Sequence, residues 1–174
     1  MDVEDSQQRY KTMRSLLRQT TEFEPRRRED VDWVFLVALP AQARQIKPTL
    51  AFNFAADLPV YATSHVFSGA VDPKRDRDLN GIRFCDAPWL LRHTELYNDV
   101  EKSVKGGQGS YARLYAMGVD SYRLIARVKQ LEAFPESQIF GTTGALTLDD
   151  QRRIHRKTEC TRFRSGEPVQ LAIE

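Results

Sequence analysis

Apolar residues recur along this chain with two different periods, and the periods divide it into elements. Over Ser6 to Gln19, "SQQRYKTMRSLLRQ", Tyr10, Met13, Leu16 and Leu17 stand at helical spacing, one apolar stripe on a polar helix. Trp33 to Leu39, "WVFLVAL", is an unbroken apolar run. Such a run predicts a strand buried on both faces, in a parallel sheet covered by helices. The pattern turns helical at Pro40, whose missing N–H costs nothing in the first turn of a helix. Ala43, Ile46, Leu50 and Phe52 or Phe54 continue the inward stripe, and Pro48 within it is expected to kink or split the helix. Leu58 to Ala62, "LPVYA", reads as the next strand. Strand, helix and strand in such close succession predict a right-handed βαβ unit.

The following stretch, "TSHVFSGAVDPKRDRDLNG", is a long loop of a kind that is often functional in compact domains. Gly81 to Cys85 is a third strand, and "HTELYNDVEKSV" a helix of mixed charge that ends at "KGGQG". Ser110 is placed to cap the best helix of the chain, "YARLYAMGVDSYRLIARVKQLEAF". Its apolar face carries Tyr111, Leu114, Tyr115, Gly118, Tyr122, Ile125 and Val128. A mid-helix glycine costs about 1 kcal/mol, so Gly118 predicts a compensating close approach of another backbone. Beyond Pro135 the pattern alternates, with turns at Asp149–Asp150 and "RSGEP", and two or three antiparallel strands are expected.

Charge alters little in this picture. The 174 residues carry 26 basic and 24 acidic groups, a net charge of +2, which makes no general magnet for polyanions. The arginines Arg26 to Arg28 are surrounded by Glu22, Glu24, Glu29, Asp30 and Asp32. They read as a salt-bridged connector rather than a phosphate clamp, and no nucleic-acid partner is expected. Arg152, Arg153, Arg156, Lys157, Arg162 and Arg164 make a locally basic terminal hairpin. It could meet an acidic partner, with Arg152, Arg153, Arg156 and Lys157 as contact candidates, or simply block edge pairing. Cys85 and Cys160 both lie in strand-like flanks; free buried thiols are the plainer reading, a cross-strand disulfide the alternative. No apolar run is long enough to span a bilayer. "DVEDSQQRYK" after Met1 has no signal-peptide character, so a signal for export would lie outside this chain.

The residues of reaction chemistry are scattered. His65, His93 and His155 stand in separate contexts, and neither a phosphate-binding loop nor a metal-ligand spacing occurs. Ser64 and His65 follow a strand, where sites form, but neighbours on an extended chain point opposite ways and make no dyad. Asp149–Asp150 reads as a turn rather than an acid–base pair. The expectation is a protein without catalytic residues, metal or cofactor.

Several blocks, in order and spacing, carry a resemblance: "FEPRRREDVDWVFLVALPAQARQIKPTLAF", "DLPVYATSHVFSG", "LNGIRFCDAPWLL", "ARLYAMGVDSYRL" and "GTTGALTLDDQRRIHRKTECTRFRSGEPV". Together they resemble the C-terminal part of the LpoA (LppC-type) family. These are Gram-negative outer-membrane lipoproteins that activate a class A penicillin-binding protein, the bifunctional peptidoglycan synthase. The resemblance implies an α/β fold of the type I periplasmic-binding-protein kind, with a parallel sheet, flanking helices and a terminal antiparallel hairpin. Residues of about 20–92 and 141–174 would then form mainly one lobe and hinge, and about 93–140 helices of the other. Pro40, Ala41, Gln42, Thr63, Ser64 and His65 would line the interlobe cleft. It further implies a non-enzymatic regulator in the periplasm, at the inner face of the outer membrane, held there by a lipid anchor absent from this chain. A small-molecule receptor lobe, for an amino acid or peptide, is the alternative. A whole two-lobed domain would be about twice this length, so the Tyr111 helix is expected to lack its cover.

Overall fold

The computed structural model describes residues 3–19, 22–23, 29–104 and 109–171. Helix α1 spans Val3–Leu17. Its apolar stripe is not buried: Met13, Leu16 and Leu17 are exposed, and Tyr10 stacks on Phe23. The Arg26–Arg28 cluster lies outside the described residues.

The chain then builds three parallel strands, β1 (Val34–Leu36), β2 (Val60–Ala62) and β3 (Arg83–Asp86), hydrogen-bonded in that order. Between the first two runs α2, Pro40–Phe52, with proline at its start as expected. Pro48 sits inside it without splitting it, so of the expected kink or split the split does not occur. The long loop after β2 holds two short 3-10 turns, Ser64–Val66 and Asp76–Leu79. It is no loose excursion, since Val66, Phe67 and Leu79 are part of the core. The nearly buried Asp76 takes both Nε and Nη2 of Arg44 from α2, at 2.9 and 2.6 Å.

After β3 come α3 (Pro88–Leu91), α4 (Glu95–Ser103, capped by the Thr94 hydroxyl), α5 (Ala112–Ile125) and α6 (Val128–Ala133). The expected single long helix is therefore two, broken at Ala126–Arg127. A 3-10 turn, Gly109–Tyr111, precedes α5, and its N-cap is Tyr111 rather than Ser110. Five strands follow where two or three were expected. Strands β4 (Ile139–Phe140), β5 (Ala145–Leu148) and β6 (Ile154–Lys157) form a small antiparallel sheet. Strand β7 (Glu159–Arg164) joins the first sheet antiparallel to β3, and β8 (Glu167–Gln170) pairs antiparallel to β7, giving the order β1-β2-β3-β7-β8. The β7–β8 turn is the expected one, with Ser165 and Gly166 both at positive φ and glycine where a Cβ would meet the Pro73 carbonyl.

Alternation along these strands decides where the core sits. Leu36, Ala62, Phe84 and Thr161 stand in one row across the sheet and are buried. They pack against Ala43 of α2, Phe67, Leu79, Trp89 of α3 and Ala112 and Ala116 of α5, with Phe67, Phe84 and Phe163 in mutual ring contact. The opposite face is open. Trp33, Phe35 and Val37 are exposed, at 56%, 59% and 71%, so the expected strand buried on both faces is an edge strand buried on one. An uninterrupted apolar run carries no period, and hydropathy alone cannot tell a doubly covered strand from a bare one.

The cysteines show a second correction. Cys85 and Cys160 are direct register partners on β3 and β7 and form a disulfide on the open face. They are neither free nor buried.

The apolar stripe of the Tyr111 helix lacks its cover, as expected for a chain about half the length of a two-lobed domain. The buried side of α5 is Ala112, Ala116 and Asp120, while Tyr111, Leu114, Met117, Tyr122 and Ile125 are exposed. Leu96, Tyr111, Leu114, Tyr115, Gly118, Val119, Tyr122 and Arg123 line an apolar groove of about 880 Å³. Beyond its own helical backbone, no atom of the described residues lies within 4 Å of a Cβ built on Gly118, so the expected close approach of another backbone is not found among them. Gly118→Ala should therefore stabilise the chain by about 1 kcal/mol through helix propensity alone. A raised urea midpoint at unchanged slope is the expected result.

Candidate functional site

In sheets of this kind ligands sit beyond the carboxyl ends of the parallel strands. Here those ends are Leu36, Ala62 and Asp86. The segments leaving them are the start of α2, the Thr63–Val66 turn and Ala87.

The Gln42 amide, the Ser64 carbonyl and the Asp86 carboxylate at these tips are engaged within the chain. The Leu39 N–H donates to Gln42 Oε1 at 3.0 Å, so Gln42 caps its own helix rather than facing a ligand. Thr63 Oγ1 is closed off from solvent with no hydrogen-bond partner among the described residues, while its N–H donates to the Leu36 carbonyl. Asp86, 3% exposed, is held by Arg113 of α5: Nε donates to Oδ1 at 3.0 Å and Nη2 to Oδ2 at 2.6 Å. Arg113 Nη2 also donates to the carbonyls of Ser64, at 2.8 Å, and Phe67, at 3.1 Å. Asp86 Oδ1 accepts the Ala87 N–H as well. One guanidinium thus joins α5, the tip of β3 and the turn after β2.

The arrangement is a two-pronged fork, the geometry in which arginine binds a carboxylate best. It also occupies the backbone carbonyls of Ser64 and Phe67. Of the expected cleft residues, Thr63, Ser64 and His65 stand at this cluster, with Ser64 half-buried and His65 exposed. Pro40 and Ala41 form the first turn of α2 nearby. Asp86 and Arg113 were not among them, although an aspartate closing an apolar strand in "RFCDAP" was a usable signal.

Arg113→Ala should cost about 2 kcal/mol in urea unfolding. That is less than a fully buried pair would lose, because Arg113 is 30% exposed and water can reach the abandoned carboxylate. Arg113→Lys should recover only part, since one ammonium cannot reproduce the fork.

A second buried carboxylate organises the opposite end of α5. Asp120 accepts four hydrogen bonds between 2.6 and 2.9 Å, from the N–H and hydroxyl of both Thr142 and Thr143. The Thr142 carbonyl in turn takes the Trp89 N–H, tying α3 into the same knot. Gly141 is required here because a Cβ would come within 2.5 Å of Asp120 Oδ2.

The basic candidates do not form one hairpin. The pairs are β5–β6 and β7–β8, so Arg152 to Lys157 belong to the small sheet and Arg162 and Arg164 to the large one. Arg152 is paired with Glu132, and Arg153 with Asp149 at 2.8 Å. Asp149 shapes the turn by accepting the N–H groups of Gln151 and Arg153. Hydrogen bonds from His155 and Arg153 hold its carboxyl well below the usual carboxylate range. Arg156 lies on the exposed β6. Lys157 lines a hollow of about 500 Å³ together with Pro88, Phe140 and Gly144, beside the Arg92–Glu159 pair. No grouping of metal-ligating side chains occurs among the described residues.

The fold and these strand tips define an α/β protein of the periplasmic-binding-protein kind. It superposes on a "putative branched-chain amino acid ABC transporter" from Chromobacterium violaceum with a TM-score of 0.57 and 26% identity, over 88% of this chain and 52% of that one. The model of the family described as "LppC putative lipoprotein" matches residues 1–166, and the chain belongs to that family. It is 34% identical over 159 residues to the penicillin-binding protein activator LpoA of Vibrio vulnificus. That match takes in 89% of this chain and 26% of the relative, so the chain spans about a quarter of the relative's length. The C-domain of LpoA from Haemophilus influenzae, described as a regulator of PBP1A, superposes with a TM-score of 0.68 and 27% identity, over 84% of this chain and 46% of the other.

Proposed function

We propose that this chain is part of a non-enzymatic activator of peptidoglycan synthesis that works by direct contact with a class A penicillin-binding protein. The observation that carries this reading is the state of the strand tips. Where a receptor would offer free polar anchors, the Gln42 amide, the Ser64 carbonyl and the Asp86 carboxylate are engaged with the chain's own groups through a helix cap and the Arg113 fork. That is a scaffold's use of the fold: it fixes elements relative to one another and leaves recognition to the surface. The relatives' designation as penicillin-binding protein activators supports the same reading. The proposed site of action is the periplasm, at the inner face of the outer membrane. The disulfide accords with an oxidising compartment. Division into two lobes, with residues 93–140 supplying helices of the second, belongs to the same proposal. Arg156 and Lys157, which form no ion pair among the described residues, are contact candidates within it.

Activation requires differential affinity for two states of the synthase. The test is binding of the purified chain to a class A synthase ectodomain, followed by a cross-linking assay. Association together with raised cross-linking is the expected result. No association from low to physiological salt would overturn the reading.

The superposition on a transporter-type protein favours one rival, an amino-acid receptor lobe. Thermal unfolding with millimolar leucine or glutamate separates the two. A scaffold should show no shift in midpoint, and a receptor a rise of several degrees.

A further inference from the structure

After β3 the chain leaves the five-stranded sheet, and it comes back beside the place where it left. Asp86 ends β3, Glu159 begins β7, and the two are register partners. Everything between them, residues 87–158, is one excursion that carries α3 to α6 and the small sheet. One position further in, Cys85 and Cys160 join the same two strands covalently. The two crossings lie one strand spacing apart, about 5 Å. That is a narrow neck for so large an excursion, and hinges form at such element-terminal residues.

Both crossing residues are carboxylates, and each is held by an arginine of the excursion. Arg92, at the end of α3, pairs with Glu159. That pair sits at the neck itself. Arg113 of α5 grips Asp86 through Nε and Nη2, and Nη2 reaches on to the carbonyls of Ser64 and Phe67. Ser64 and Phe67 follow β2, on the side of β3 away from β7. The grip of Arg113 therefore acts a strand further out than the neck, where it resists a twist of the excursion about the strand direction. Apolar packing constrains that twist less. Trp89 and Leu90 pack just beyond the crossing at Ala87, with Tyr97 against the Trp89 ring, near the neck where a twist displaces them least. Helix α5 meets the core mainly through Ala112 and Ala116, side chains too short to interlock with a neighbour.

We propose that Arg113 is the latch of a hinge formed by the two crossings: it holds residues 87–158 at one orientation to the five-stranded sheet, and its release lets them twist. The disulfide and the Arg92–Glu159 pair keep the neck together without fixing that orientation. Two orientations of one chain are states between which a partner can select. That use of the hinge rests on the function proposed above; the latch itself does not.

The test measures the distance between two nitroxides in the full chain by pulsed dipolar spectroscopy, with no synthase present. Ketone-bearing side chains introduced at Gln45 of α2 and Gln151 of the β5–β6 turn, both exposed, carry the labels and leave the disulfide intact. The chain with Arg113 in place should give one narrow distance distribution. Arg113→Gln should broaden or shift it by on the order of 5 Å, a strand spacing. Arg92→Gln should leave it as it is. Circular dichroism shows whether each variant is folded. Arg113→Lys, which keeps the charge but not the fork, decides if Arg113→Gln is not. An arginine that merely stabilises the fold would lower the urea midpoint without moving the distance. An unchanged distribution in the folded Arg113 variants would thus overturn the latch. So would a broad distribution with Arg113 in place, or an equal broadening in Arg92→Gln. Because the synthase takes no part, failure of the latch and failure of the activator reading are separate results.

Discussion

Asp120→Ala is expected to lower stability by about 3–4 kcal/mol, because it strips the acceptor from two backbone N–H groups that have nowhere else to turn. Thr142 and Thr143 are both buried, and their N–H groups meet Asp120 Oδ1 and Oδ2 at 2.7 Å. Of the two hydroxyls, Thr142 Oγ1 keeps the Ala116 carbonyl at 2.8 Å, while Thr143 Oγ1 loses the Asp120 carboxylate it meets at 2.6 Å. The cost is therefore dominated by backbone, which side-chain rearrangement cannot relieve. Asp120→Asn should lose about half as much, since one acceptor oxygen survives. Gly141→Ala should approach the alanine variant from the other side, by driving a methyl group into the same carboxylate. Urea unfolding of the three variants tests the ranking, and a thermal midpoint about 10 °C lower is expected for Asp120→Ala. An unchanged midpoint would mean that the Gly141–Gly144 loop is held by something other than Asp120.

Removing the disulfide should have an effect of similar size through a different route. Cys85 and Cys160 are 75 residues apart. Closing so long a loop restricts the unfolded chain by about 4 kcal/mol in the chain-entropy account. The native sheet keeps its β3–β7 hydrogen bonds when the sulfurs are separated, so the loss is expected mainly in the denatured ensemble. Reductant, or Cys85→Ala/Cys160→Ala, should lower the urea midpoint while leaving the folded-state circular dichroism unchanged. A steeper denaturant dependence should accompany it, because the open chain exposes more surface. If reduction instead left stability unaltered, the two strands would already be constrained in the unfolded chain.

These residues differ in how readable they were. Pro40 at the start of α2, the turn at Asp149 and the glycine of the β7–β8 turn were legible because each acts over a few neighbours. The residue blocks resembling the LpoA family were legible too, and family membership followed. Asp86 and Arg113 were not, being 27 residues apart and on different elements. Asp120 and its threonines are separated by 22 and 23. Nothing local distinguishes an aspartate that will accept four buried bonds from one that will face water. The stripe on α5 was legible, and its exposure was expected, but the side the helix buries instead was not. Apolar side chains at helical spacing mark a face that can be buried, and the chain covers the opposite face, where Ala112 and Ala116 let α5 approach the core closely.

The amino-acid sequence by itself determined the α/β class and the kind of element over α1, the β1–α2–β2–β3 run and α5, because hydrophobic period, proline, glycine and turn chemistry act within a few residues. Only the tertiary structure decided which sides of those elements meet and which polar groups find each other. It buried Ala116 rather than Tyr122, bared Phe35 and paired Asp86 with Arg113. It also set two arginines abreast beside a disulfide. Burial and pairing are properties of distance in space, and in this chain the partners that matter lie tens of residues apart.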